Sequence, residues 1–318
     1  MLASLSLDLD NKWSYLKTHG DEAWSNLPSY LDLVVPRILN MLNEFDLKIT
    51  FFVVGLDADQ EANSSALRQI SQAGHEIGNH SYRHEPWLHL YTREEIVEEF
   101  AKTEVALERV TGRKPIGFRG PGFSFSQDVL QVMTERGYQY DCSTFPTFLG
   151  PVARAYYFFR SNLNRKQREQ RQALFGTVAD GLQRLKPFRW RLKSEPLLEI
   201  PVTTMPVFRV PFHLSYIMFL AKRSEWLALQ YFKFSLALCR LRGIEPSILL
   251  HPLDFLGADD DADLGFFPAM DIPYAKKERV LRKVFAVLKR KFQVVTMETH
   301  AASFNGRQLP SKTVPVRA

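Results

Sequence analysis

Ile49-Thr50-Phe51-Phe52-Val53-Val54 is a near-continuous apolar run, and Gly55 ends it. A strand with one wet face alternates apolar and polar residues, and this one does not. Such a run at strand length fits a strand covered on both faces, as in parallel sheets. Upstream, Leu5, Leu7 and Leu9 alternate with Ser4, Ser6, Asp8 and Asp10, a period-2 strand pattern. A helix is expected between the two over 31–45. Downstream, a short helix over 65–73 stops at Gly74, a favourable residue just past a helix end. A third strand follows over 75–80. Thr92 and Glu95 form a capping-box start for a long helix that ends at Gly112. Strand 116–119, helix 127–136 and strand 138–143 complete this half.

The rhythm breaks from about 151 to 193, where no clean strand is visible. It resumes with strand 197–202, helix 224–242, strand 247–251, helix 274–291 and strand 292–297. Strands alternating with helices predict an α/β chain of parallel strands with surrounding helices, either a (β/α) barrel or an open sheet. The expectation is one domain over 1–318, carrying an insertion at about 151–193. In barrels, functional side chains gather at the C-terminal ends of strands. Asp8 and Asp10, His80, Arg119, Asp141 and His251 all fall at such ends.

Those polar residues have a joint chemical meaning. Asp8 and Asp10 are two apart on a strand, so both point to one face. Two carboxylates that close repel; either strand-end solvation or a helix cap accounts for the pair, or a cation does, one carboxylate ligating while the other stays beside the metal as a base. His80 and His84 are four apart and share a face if one helical turn follows the strand. Asp10, His80 and His84 then make a ligand set that leaves positions open for water and substrate. Arg119 opens Arg-Gly-Pro-Gly-Phe-Ser and suits bidentate binding of a carboxylate, with Asp8 as its partner. Backbone N–H groups in the loop that follows, near Gly122, can approach an oxyanion. His251 ends an apolar strand in Leu-Leu-His-Pro and suits proton donation to a leaving amine. Asp141 ends Tyr-Gln-Tyr-Asp and reads equally as a turn residue or a substrate-side group.

Leu-Asp-Leu-Asp at 7–10, His-Ser-Tyr-Arg-His at 80–84, Arg-Gly-Pro-Gly-Phe-Ser at 119–124 and Leu-His-Pro at 250–252 follow one another in order. In this order and spacing they resemble the polysaccharide deacetylases, the NodB-homology group, carbohydrate esterase family 4. The resemblance implies a distorted, incompletely closed (β/α) barrel and a hydrolase that removes an N-acyl group, chiefly acetyl, from a sugar. It implies Asp8 as catalytic base, Asp10, His80 and His84 as metal ligands, Arg119 as partner of the base and His251 as catalytic acid. Gly122, Tyr82 and Asp141 are the expected substrate-side residues. The cofactor is a divalent metal, zinc first, with cobalt, nickel, manganese and iron also suited to the donors. Two departures loosen the substrate class. The first motif is Asp-x-Asp rather than adjacent Asp-Asp, as in allantoinase-like amidases. Gly122 stands where many sugar deacetylases carry an aromatic residue. A carbohydrate-binding homologue without activity is the third reading, but every ligand and the base are present.

Composition narrows the partners. The 318 residues carry a net charge of +6. Eleven Lys and Arg against Glu169 and Asp180 give 154–193 a charge of +9, leaving −3 for the rest. Aromatics interleave there: Tyr156, Tyr157, Phe158, Phe159, Phe175, Phe188 and Trp190. Basic and aromatic residues together suit an anionic membrane surface or a phosphorylated ligand, and equally a solvated helical hairpin with its own small core. With the apolar stretch 212–220, this favours a lipid-linked or phosphate-bearing sugar substrate, and nothing in the motifs supports nucleic acid. The acidic run Asp259, Asp260, Asp261 and Asp263 lacks calcium-loop spacing and reads as a solvated loop. Cys142 and Cys239 form no C-x-x-C pair and read as buried thiols. No signal segment or spanning run is visible, so the expectation is a cytoplasmic protein, peripheral at the inner membrane face if the insertion docks there.

Overall fold

The computed structural model describes residues 1–152, 155, 159 and 178–315. Most of the basic insertion therefore lies outside the described residues. Ten strands are described: β1 (Leu2–Leu9), β2 (Thr50–Val53), β3 (Glu76–Asn79), β4 (Gly117–Phe118), β5 (Tyr140–Asp141), β6 (Phe188–Arg191), β7 (Leu197–Glu199), β8 (Ser247–Leu250), β9 (Gln293–Val295) and β10 (Ser311–Thr313). They form one sheet in the order β10-β6-β7-β5-β4-β3-β2-β1-β8, with β9 against the start of β1. Every pairing is parallel except β6 with β7.

The sheet curls back on itself between β7 and β8, with β6 and β10 beyond the closure. The extended chain after β7 crosses to β8, where the Thr203 N–H donates to Ser247 O at 2.9 Å. The Ser247 N–H returns a bond to Thr203 Oγ1 at 2.8 Å. A barrel of β8-β1-β2-β3-β4-β5-β7 results, joined at one seam by a loop instead of a ladder. The strand–helix alternation left a barrel or an open sheet, and the structure is the distorted (β/α) barrel that the family resemblance implied. The run at 49–54 behaves as its composition demands, since all four β2 residues are buried.

Helices wrap the barrel: Leu31–Glu44, Arg93–Thr111, Glu225–Leu241 and Tyr274–Lys291 are the longest described. The Thr92/Glu95 capping box forms, and Gly112 ends that helix at φ 71°. A helix over Lys12–His19, capped by Asn11, had no clear sequence pattern.

One expectation about the insertion is overturned. Its last part contains strand β6, which pairs with β7 and β10. Phe188 and Trp190 are fully buried there against Phe125, so they belong to the core and face no membrane. The acidic run is also explained: Asp260 pairs with Arg37, while Asp261 and Asp263 pair with Lys12. Both cysteines are buried and free.

Candidate active site

Asp8 lies near the end of β1 and Asp10 just beyond it, both facing the barrel mouth. Tyr30 OH donates to the Asp10 carbonyl and Asn11 caps the following helix, which fixes the chain where it leaves the strand. His80 follows β3. The turn to His84 is not helical, contrary to the expected single turn. Ser81 and His84 take left-handed backbone, φ 61° and 53°. Asn79 Oδ1 accepts from the Ser81 N–H at 2.7 Å, and Ser81 Oγ accepts from the His84 N–H at 3.1 Å. These bonds hold an unfavourable backbone that still brings both imidazoles to one point.

That point is Asp10. Its Oδ1 lies 3.3 Å from His80 Nε2 and 3.0 Å from His84 Nε2. One donor atom from each residue lies within 4.8 Å of the others. His80 Nδ1 is 2.6 Å from the Arg119 carbonyl, so that nitrogen carries the proton and Nε2 presents a lone pair. Asp10 Oδ1 is buried with no hydrogen-bond partner. Three lone-pair donors converging on one buried spot fit a divalent cation. Burial would raise the Asp10 carboxyl, but His84 and His80 outweigh it and hold it well below the usual carboxylate range. Burial would lower His80, but Asp8, Asp10 and the Arg119 carbonyl hold it above its ordinary value.

Arg119 follows β4 and is fully buried. Its Nη1 donates to Asp8 Oδ1 at 2.7 Å and to Ser6 Oγ at 2.9 Å, and its Nε donates to Cys142 O at 3.2 Å. The guanidinium lies over the Phe52 ring at 4.5 Å. The expected bidentate grip on Asp8 is absent, because Nη1 alone reaches the carboxylate and Nη2 has no partner. Gly122 is exposed on the next turn at φ 58°, a conformation suited to glycine.

His251 follows β8, whose register with β1 sets it beside Asp8. Its Nδ1 lies 3.2 Å from Ser215 Oγ, and that hydroxyl donates to Asp254 Oδ1 at 3.2 Å. Asp254 Oδ2 accepts from the His251 N–H at 2.8 Å. Ser215 therefore accepts from Nδ1–H, leaving His251 Nε2 for other work. Burial lifts the Asp254 carboxyl, and His251 only partly offsets this.

Two expected residues are not brought to this group. Tyr82 turns outward: its hydroxyl donates to Asp59 at 2.7 Å and its ring faces Lys102. Asp141 is fully buried, so it cannot meet substrate. It accepts from Ser143 Oγ at 2.6 Å, and Ser143 Oγ accepts from the Gly120 N–H at 2.8 Å. Asp141 thus anchors the loop after Arg119. Burial raises both Asp141 and its neighbour Glu199.

Sequence reading also missed several groups. His213, before helix Leu214–Ala221, packs on the His251, Phe145 and Tyr216 rings at 5.9, 5.6 and 4.8 Å. Burial, then the charges of His251 and Arg119, hold it well below its ordinary value. Phe145 also stacks on Phe123 at 4.7 Å, giving a row of half-buried aromatic rings next to Gly122. Behind Asp10, Asp57 Oδ1 accepts from Asn11, Trp13 and Asn63 at 2.7, 2.9 and 3.2 Å. Trp13 in turn meets the His84 ring edge-on at 6.4 Å. No local pattern marks these residues, because each contact joins distant segments.

The family pattern described as polysaccharide deacetylase matches residues 24–140. The match covers a little over a third of the chain, so it is a likeness of this segment to that family. A Helicobacter pylori peptidoglycan deacetylase is 26% identical over 147 residues, 45% of this chain and 49% of the relative. A Bacillus cereus peptidoglycan-N-acetylglucosamine deacetylase is 34% identical over 103 residues, 32% of this chain and 36% of the relative. The chain thus spans between about a third and a half of these relatives' lengths. A Mycobacterium smegmatis candidate polysaccharide deacetylase of known structure shares the fold. It has a TM-score of 0.63 and 19% identity, covering 99% of this chain and 95% of that one. The family segment contains His80, His84 and Arg119, whereas Asp8, Asp10 and His251 lie outside it and join the site through the barrel register.

Proposed function

We propose that this chain is a metal-dependent N-deacylase that hydrolyses the N-acyl amide, chiefly N-acetyl, of a sugar in a glycan or lipid-linked glycan. The observation that carries this is the division of labour on one strand. Asp10 joins two imidazoles in a cation-sized cluster, while Asp8 is held apart from it by a buried arginine. A divalent cation held by Asp10, His80 and His84 would supply Lewis acidity, polarising the acyl carbonyl and acidifying water.

The chain's own groups supply the rest. Asp8, aimed by Arg119, takes the proton from the attacking water as oxygen bonds to the carbonyl carbon. The backbone around Gly122 is open to approach by the oxyanion. His251 Nε2 delivers a proton to the nitrogen as the C–N bond breaks, leaving a carboxylate and an amine. Asp254, acting through Ser215, supports the charge on the His251 ring. Phe123 and Phe145 offer aromatic faces for a sugar ring, in place of an aromatic residue at position 122.

The similar peptidoglycan deacetylase and peptidoglycan-N-acetylglucosamine deacetylase support the amide and the sugar. A released-acetate assay over N-acetyl sugars, peptidoglycan fragments, lipid-linked sugars and ureides, with added metals, tests the reading. Metal-dependent acetate release from an amino sugar is expected. Turnover of ureides alone would replace it with the small-molecule amidase.

A further inference from the structure

Helix Glu225–Leu241 is apolar on two opposite faces. Ala228, Phe232, Ser235, Leu236 and Cys239 form its buried side. At 3.6 residues per turn, Trp226, Leu227, Gln230, Phe234, Ala237 and Leu241 fall within about 100° of arc on the other side. Trp226, Leu227, Phe234 and Leu241 each expose more than half of their surface. Phe219 and Leu220 extend the patch onto the preceding helix, Leu214–Ala221. A helix apolar all round belongs inside a protein or against a partner, and a contiguous stripe of this size marks an interaction surface.

The border of the stripe identifies the partner. Arg223 and Lys222, the latter paired with Asp271, stand at one end, Lys233 along the flank, and Arg240 and Arg242 at the other end. The only acid in the helix is Glu225, which Arg279 and Lys283 already hold. A second copy packed on the same face would oppose cations to cations in either orientation, since both ends are basic. Large apolar groups framed by Lys and Arg fit the headgroup boundary of an anionic bilayer. No described helix is long and apolar enough to cross a membrane, so this one would lie along it.

We propose that this outer face of helix Glu225–Leu241 docks the protein on an anionic phospholipid surface. Because the helix follows the segment carrying Ser215, docking sets the site of His251 close to lipid-borne material. The surface is separate from the deacylase chemistry and stands if that reading fails.

Co-sedimentation with phosphatidylcholine vesicles, with and without phosphatidylglycerol, tests it on the full chain. Wild-type protein is expected to pellet with the mixed vesicles and to release at high salt. Trp226→Ser/Phe234→Ser and, separately, Lys233→Glu/Arg240→Glu are each expected to lose binding by roughly tenfold or more. These are surface changes, and circular dichroism confirms folding. Trp226 fluorescence, taken as the difference from Trp226→Phe, is expected to shift to the blue on binding. Three results would overturn the proposal: no pelleting of wild type, pelleting unchanged in both variants, or a dimer in solution that Trp226→Ser/Phe234→Ser dissolves without any vesicle effect.

Discussion

On the β1–β4 side of the site, Asp8, Asp10, His80 and Arg119 are at most 7% exposed, and the bonds of Arg119 to Asp8 and of His80 to the Arg119 carbonyl are 2.7 and 2.6 Å. On the β8 side, His251 and Ser215 are half-buried and His251 Nδ1 sits 3.2 Å from its partner. The first side is rigid and its charges are already aimed; the second is looser and open to the mouth. Electrostatic stabilisation needs fixed groups that do not reorganise, whereas proton delivery needs a group that reaches a departing atom. In the proposed reaction the two halves divide these tasks.

The sharpest test of the rigid half is Arg119→Met. It leaves Asp8 buried without its cation, so unfolding in denaturant should show a loss of about 3–5 kcal/mol, and deacylation should vanish. A loss under 1 kcal/mol would mean that solvent already compensates Asp8. On the looser half, His251→Ala should slow turnover by about two to four orders of magnitude and leave stability within about 1 kcal/mol. Equal damage to stability by both substitutions would erase the contrast.

Asp57 extends the rigid half behind Asp10. Burial, only partly offset by Asn11 and Trp13, raises its carboxyl to about 7. The folded pKa is above the unfolded one, so the folded state holds this proton more tightly. The resulting stabilisation is complete below about pH 4 and is lost as pH rises through 7. For protein kept with a chelator, thermal unfolding should show Asp57 costing on the order of 2–4 kcal/mol across that window. Asp57→Asn should flatten that slope, and an unchanged slope would assign it elsewhere. The smallest effect belongs to Ser215→Ala, which removes one link between Asp254 and His251. It should cost about tenfold in kcat with little change in KM, the worth of one modest hydrogen bond. Nitrogen chemical shifts of the His251 ring should show loss of the Nδ1–H preference, which a purely structural role for Ser215 would leave in place.

The parts legible in sequence were those written in short-range pattern. The run at 49–54 reads as a doubly covered strand because every residue in it but Thr50 is apolar, leaving no alternating wet face. Thr92 and Glu95 announce a helix start because the box is made within four residues. The strand-end rule then collected Asp8, Asp10, His80, Arg119 and His251 without any knowledge of their contacts. What was hidden depends on partners far along the chain. Phe188 and Trp190 look like membrane aromatics until β7 and β10 flank them. Asp141 looks available until Glu199 and Ser143 close over it. Ser81 and His84 carry no glycine to mark a left-handed turn, so a helical spacing was the natural expectation. Ser215 meets His251 only because helix Leu214–Ala221 folds back over β8.

The central claim is that Asp10, His80 and His84 hold the metal while Asp8, beside them, does the base chemistry. Asp8→Asn keeps the shape of Asp8 and an acceptor for Arg119 while removing the proton-accepting charge, and circular dichroism checks that the variant folds. The direct measurement is acetate release alongside bound-metal analysis in wild type and this variant. The account predicts stoichiometric divalent metal in both proteins, with acetate release falling by at least about a hundredfold in the variant. Undiminished release, or loss of the metal together with the activity, would contradict it.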